Sequence, residues 1–165
     1  GETGELVIRS DVMFPGYWRA PDVTKEMFFD DWLRTGDLAR RDEQGYIFLS
    51  DRAKFRMKTG GYNVFPTEIE NVLAEHPAIH EVSVFGIPDP RWGHRIEAVV
   101  SVKPGKTVSP EDLKEFCKDK VANYKIPKNI EIWPELPKGV TGKILKRSVI
   151  ERMTEKYAGN EKSGK

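Results

Sequence analysis

At 165 residues and 38% hydrophobic content, the chain is long enough for one domain, or for one domain and part of another. No apolar run approaches the roughly 20 residues of a membrane-spanning helix, which excludes a transmembrane segment. A net charge of +1 hides a gradient, with 10 acids and 6 bases in residues 1 to 50 against 8 bases and 3 acids in residues 138 to 165, yet the basic end is too sparse for a nucleic-acid-binding arm.

Along the chain, "GETGELVIRS" alternates imperfectly between Leu6, Ile8 and their polar neighbours and predicts an edge strand. "PGYWRAPDVTKEMF" predicts a short helical turn over 25–28 with Thr24 as its cap. "RTGDL" reads as a tight turn that leaves Asp37 just after Gly36, and "YIFLS" at 46–50 as a strand. "FRMK" at 55–58 is expected to pair back on that strand, with residues 51–54 as the connection.

The texture changes at Pro66. Thr67 and Glu70 are spaced as a capping box ahead of the Ile69, Val72 and Leu73 stripe, and Pro77 ends that helix. "HEVSVFGI" and "HRIEAVVSV" read as strands. Ser109, Pro110 and Asp112 open a second helix carrying Leu113, Phe116, Cys117 and Val121. "NIEIW" is a short strand, and Ile144, Leu145, Ser148, Val149 and Met153 line a last helix before a soft tail. The order predicts a small two-layer α+β domain preceded by about 50 residues of strand and turn with little core of their own.

Three stretches could carry chemistry. Lys143 lies in "LPKGVTGKILKR", a Gly/Pro-rich lead with no regular side-chain partner and a backbone free to move. A compact cation on a long stem can reach a phosphate or carboxylate oxygen, although a solvated lysine at a helix start explains the spacing equally well. The pattern is not a Walker loop, because Gly139 lies only three residues before Gly142 and Ile144 replaces the hydroxyl. Asp37 could accept two hydroxyl hydrogen bonds, as ribose-binding acids do, or simply form a turn. Arg52, Lys54, Arg56 and Lys58 alternate, which would set their charges on one side of an extended segment beside Gly60 and Gly61. Such a face is ordinarily wet surface, but paired glycines permit close approach of a narrow ligand. Lys54 stands where the two textures meet, a natural hinge. Trp92, in the turn "PDPRWGHR", could contact a ligand or a facing domain. His76 and His80 are separated by Pro77, no metal site is read, and Cys117 is a core thiol in a chain whose single cysteine excludes a disulfide framework.

Taken in order, "GETGELVIRS", "GYWRAPDVTKEMF", "WLRTGDL", "GYIFLSDRAKFRMKTGGYNVFPTEIE" and "LPKGVTGKILKR" resemble the C-terminal portion of the AMP-forming acyl-CoA synthetases, members of the adenylate-forming superfamily. The resemblance covers nearly the whole chain. It implies that residues 1–53 end a large N-terminal domain, that residues 54–157 are the small C-terminal domain, and that residues 158–165 form a disordered tail. It further implies that Asp37 holds the ribose hydroxyls of ATP and of the adenylate, with Arg52 adding a contact. Lys54 would be the hinge between two orientations. In the first, Lys143 would enter the site while the acid attacks the α-phosphate. In the second, Gly60 and Gly61 would border the pantetheine tunnel, with Lys58 and Asn63 serving thioester formation.

Some members have aspartate at the hinge, and some have glutamine or arginine where Asn63 stands. The implied substrates are ATP, coenzyme A and a carboxylic acid, a medium- or long-chain fatty acid, with Mg2+ held by ligands outside this stretch. The implied partner is the chain's own N-terminal domain, through which a homo-oligomer could form, and the expected setting is cytoplasmic. Without that domain the stretch is expected to be inactive. The alternatives are transfer of the acyl group to a carrier protein or other acceptor, and a non-catalytic binding domain of the same fold.

Overall fold

The computed structural model describes residues 2 to 163, with side chains as far as Tyr157. The chain divides into two compact units, the first ending at Lys54 and the second starting at Phe55.

The first unit is built on β3 (Trp32–Arg41), which pairs antiparallel with β1 (Thr3–Ile8) on one side. Its other side is shared by β2 (Phe28–Phe29) and β4 (Ile47–Arg52). β1 is therefore an edge strand, as its weak alternation predicts. The stretch around Asp37 is not a tight turn but the middle of the longest strand in this unit. Gly36 takes a φ of +72° there, and three residues of β3 face the single Leu6 of β1, so the sequence signal of a turn glycine marks a bulge. Thr24 is not a cap either. It lies inside α1 (Pro21–Met27), where its hydroxyl donates to the Ala20 carbonyl and accepts the Tyr17 N–H. Pro21, with its φ already fixed, starts the helix earlier than the expected cap.

In the second unit, β5 (Met57–Thr59) does not pair back on β4. It forms a hairpin with β6 (Tyr62–Val64) and touches β8 (Gly93–Val102) at Thr59 and Gly93, because Gly60 and Gly61, at φ +55° and +88°, make the two-residue turn that such a hairpin requires. The four bases consequently share no extended segment. Arg52 ends β4, Lys54 lies in a three-residue 3-10 turn, and Lys58 sits in β5.

β8 is the centre of the second sheet, antiparallel to β7 (Ile79–Asp89) and parallel to β9 (Asn129–Ile132). Val84, Ile96, Ala98 and Val100 face α2 (Pro66–Ala74) and α3 (Pro110–Lys118) across the larger core. Phe85, Ile87 and Val99 turn the other way and meet Leu136, Val149 and Met153. Burial on both sides explains the near-continuous apolar run "AVVSV". The result is the expected two-layer α+β domain with a mixed sheet, in which α4 (Lys146–Ser163) covers part of the reverse face.

Ser109 caps α3 through a reciprocal box with Asp112, as its spacing predicts. Thr67 and Glu70 do not repeat that box. Pro66 occupies the first helical turn and moves the cap position to Phe65. Glu70 accepts instead from the Val84 N–H at 2.8 Å. α4 begins at Lys146, so Ile144 and Leu145 precede it and Leu145 is exposed. The same helix continues to Ser163 through part of the stretch expected to be a disordered tail, since the single Gly159 costs only about 1 kcal/mol against alanine. Gly164 and Lys165 lie outside the described residues. Among those described, no helix is long and apolar enough to cross a membrane.

Candidate functional site

The first unit offers a carboxylate held by an arginine. Asp37 and Arg52 are cross-strand partners on β3 and β4, and Arg52 Nε lies 2.8 Å from Asp37 Oδ1. A second guanidinium nitrogen donates to the Thr35 carbonyl at 3.0 Å. Thr35 fixes the bulge from the other side, donating its hydroxyl to Leu6 O at 2.7 Å and accepting the Asp37 N–H at 3.1 Å. With half of the arginine side chain and about a third of the aspartate in solvent, the pair contributes little stability. What it does is aim a carboxylate.

In the second unit, Lys58 and Asn63 stand directly opposite one another on the β5–β6 hairpin, both exposed, with Gly60 and Gly61 at its tip. Spacing set Lys58 beside Gly60 and Gly61, and the resemblance added Asn63; the hairpin brings all four together. It also rests on His94, which the sequence did not single out, and on Trp92, which it did. The His94 imidazole lies against the backbone of Lys58, with Nδ1 3.3 Å from its N and 3.1 Å from its O, so that it accepts from the one or donates to the other according to its tautomer. Gly60 donates to the Trp92 carbonyl, and a Cβ on Gly60 would sit 3.5 Å from the Trp92 ring. Beside this hairpin lies a cavity of about 440 Å³ bordered by Trp92, His94, Arg95, Tyr124, Lys128 and Asn129. Tyr124 stacks on Tyr62 of β6 with centroids 4.8 Å apart. Aromatic faces with cations beside them suit a flat, anionic ligand.

Below the cavity is Glu97, fully buried in β8. Its Oε1 accepts from Arg95 Nε at 2.5 Å and Asn129 Nδ2 at 3.1 Å, and its Oε2 from the Tyr157 hydroxyl at 2.7 Å. Burial, then donation to Glu97, pushes the Tyr157 pKa up to about 12.

The loop carrying Lys143 is not the free backbone that its glycines suggest. Lys138 and Ile144 form a β-bridge, Gly139 donates to the Lys143 carbonyl at 2.9 Å, Gly142 donates to Gly139, and Leu145 donates to Pro137. Lys143 itself is exposed. Lys138, Lys146 and Arg147 around it each pair with a glutamate, while Lys143 has no anionic partner among the described residues.

A sequence profile of the AMP-binding enzyme C-terminal domain matches residues 68–143, ending on that lysine. The chain is 40% identical over 156 residues to a long-chain-fatty-acid–CoA ligase of Bacillus subtilis, covering 94% of this chain and 28% of that protein. It is 41% identical over 152 residues to ScoC, a fatty acid–[acyl-carrier-protein] ligase of Streptomyces coeruleorubidus, covering 92% and 29%. The fold superposes on ATP-bound MatB from Rhodopseudomonas palustris with a TM-score of 0.86 at 34% identity, covering 95% of this chain and 31% of that one.

The chain belongs to the AMP-forming acyl-CoA ligase superfamily. It spans less than a third of the length of these superfamily relatives. Among the described residues no three His, Cys, Asp or Glu side chains come together as a metal site. The motifs hold the candidate residues named through the resemblance, whereas Glu97, Tyr124 and Tyr157 lie outside them. The one signal for Glu97 was a charge inside the apolar run "HRIEAVVSV".

Proposed function

We propose that this chain is the closing portion of an acid–thiol ligase that uses ATP to make an acyl-adenylate, releasing pyrophosphate, and then forms the acyl-CoA thioester, releasing AMP. The observation that carries the reading is Lys143, which has no anionic partner among the described residues, on a pinned loop whose other cations each pair with a glutamate. A lone positive charge of this kind lowers the barrier where negative charge builds up between an attacking carboxylate and the α-phosphate.

In this proposal Asp37, aimed by Arg52, accepts from the ribose hydroxyls, and Lys54 is the hinge that exchanges one face of the small domain for another. Lys58 and Asn63 then serve the thioester step, with Gly60 and Gly61 leaving room for the thin thiol arm. The cavity edged by Trp92, Tyr124 and Lys128 suits the nucleotide end of coenzyme A. Magnesium accompanies ATP as a counter-ion to its phosphates. The acid is a medium- or long-chain fatty acid, a reading supported by the likeness to the Bacillus ligase.

The test is Lys143→Ala in the intact protein that carries this chain. Acid-dependent ATP–pyrophosphate exchange should fall by about 100-fold or more, while thioester formation from supplied acyl-adenylate persists. Equal loss of both half-reactions would remove the role assigned to Lys143. The likeness to ScoC supports a second reading, in which the acyl group passes to a carrier protein. A protein that forms adenylate and never consumes coenzyme A with a panel of acids would select it.

A further inference from the structure

The loop that presents Lys143 is anchored on both sides by carboxylates from other elements. On the entering side, Lys138 Nζ lies 2.8 Å from Glu81 Oε1 on β7, and the Glu81 side chain is 16% exposed. Glu81 Oε2 also accepts from the Ser101 hydroxyl of β8 at 3.4 Å. On the leaving side, Lys146 Nζ lies 2.6 Å from Glu70 Oε1 of α2, with both side chains at or below 20% exposure. The same oxygen of Glu70 accepts the Val84 N–H of β7, so its position is set by the sheet as well as by its helix. Lysine side chains are long and lose considerable entropy when fixed, so a pair at the open surface is worth little. Lys146 and Glu70 are both shielded, whereas Lys138 is 41% exposed and its pair relies on Glu81, the shielded partner.

We propose that Glu81 and Glu70 are positioning residues for Lys143. They fix the two ends of its loop to the sheet and to α2, and they occupy the flanking lysines so that one cation alone is offered to the reacting phosphate. The inference rests on the adenylation role proposed for Lys143. It places the required movement elsewhere than in the loop, because a loop closed by its own backbone bonds and tied down at both ends travels with its domain. A displacement of about 1 Å in a catalytic group can cost on the order of 100-fold in rate, which is the reason to hold it so firmly.

The experiment uses the intact protein with Glu81→Gln, Lys138→Met and Glu70→Gln, each assayed in both half-reactions. Acid-dependent ATP–pyrophosphate exchange should fall roughly 10-fold or more, through kcat and with KM for ATP little changed. Thioester formation from supplied acyl-adenylate should stay within about 2-fold of the parent. The reversed pair, Lys138→Glu with Glu81→Lys, should recover most of the lost exchange. Equal loss in both half-reactions, or full exchange activity in all three variants, would overturn the proposal. Lys143→Ala, run in parallel, separates the two ideas. If that variant keeps its exchange activity, the adenylation role fails, and the anchoring is then read from amide hydrogen exchange at Gly139, Gly142 and Leu145. Loss of protection in Glu81→Gln and Glu70→Gln supports the anchors, and unchanged protection overturns them.

Discussion

Replacing Tyr157 by phenylalanine removes one oxygen atom and tests what holds Glu97 inside the sheet. The carboxylate is fully buried, and the Tyr157 hydroxyl supplies the hydrogen bond to Oε2 at 2.7 Å while Arg95 and Asn129 serve Oε1. Losing a donor to a buried charge costs about 1.5–3 kcal/mol, and the midpoint of about 2 kcal/mol corresponds to roughly 8 °C in melting temperature for a unit of this size. The assay is thermal or urea unfolding of the chain, run with a double-mutant cycle against Glu97→Leu. With the carboxylate gone, the tyrosine substitution should cost only about 0.5 kcal/mol. Equal costs in the two backgrounds would refute the reasoning, since the hydroxyl would then be contributing something other than its bond to Glu97.

Alkaline pH gives a second handle on the same bond. The folded Tyr157 pKa is about 12 against an ordinary 10.0, raised first by burial and then by donation to Glu97. A raised pKa leaves stability intact below pH 10 and removes it as pH climbs towards 12, because the unfolded chain releases its proton first. Tyr157→Phe should flatten the decline across that window.

Two further outcomes follow from local geometry. A Cβ at Gly93 would lie 2.8 Å from the Lys58 carbonyl oxygen, and its φ is +84°, so Gly93→Ala should cost about 2 kcal/mol or more and displace β5, depressing thioester formation beyond what instability explains. Gly61→Ala, at φ +88° with open space around it, should show only the strain of about 1 kcal/mol, and similar effects in unfolding and thioester assays would count against the contact with Lys58. Cys117 is fully buried on α3, and burial pushes its thiol pKa up, so iodoacetamide at pH 8 should label it only as the chain unfolds; rapid labelling of the native chain would contradict that placement.

What could be read from the sequence, and what could not, divides along a physical line. The glycine pair stands out because a two-residue hairpin turn restricts which residue types can occupy it, and Lys58 and Lys143 stand out as cations beside glycines, whereas Asn63 was named through the resemblance alone. Ser109 with Asp112 is legible for the same reason, both members of the cap lying within one turn. Asp37 was singled out but placed in a turn, whereas it lies within β3. A glycine at positive φ serves a turn and a bulge equally, and only the pairing of Asp37 with Arg52 on another strand tells them apart.

The partners of the supports were out of reach. Glu81 meets Lys138 and Glu70 meets Lys146 across long stretches of chain, and Glu97 meets Asn129 and Tyr157 in the same way. At positions 70 and 81 glutamate by itself is an ordinary surface residue, and at 97 the charge inside an apolar run signals burial but not its partners. The Thr67–Glu70 spacing even offered Glu70 a local partner, which Pro66 denied it by shifting the helix start. Glu70 was then free to be recruited by Lys146, so the residue that failed as a cap is one that holds the lysine loop. Motifs that name candidate groups can therefore leave unnamed the long-range pairs that tie down the segments carrying them.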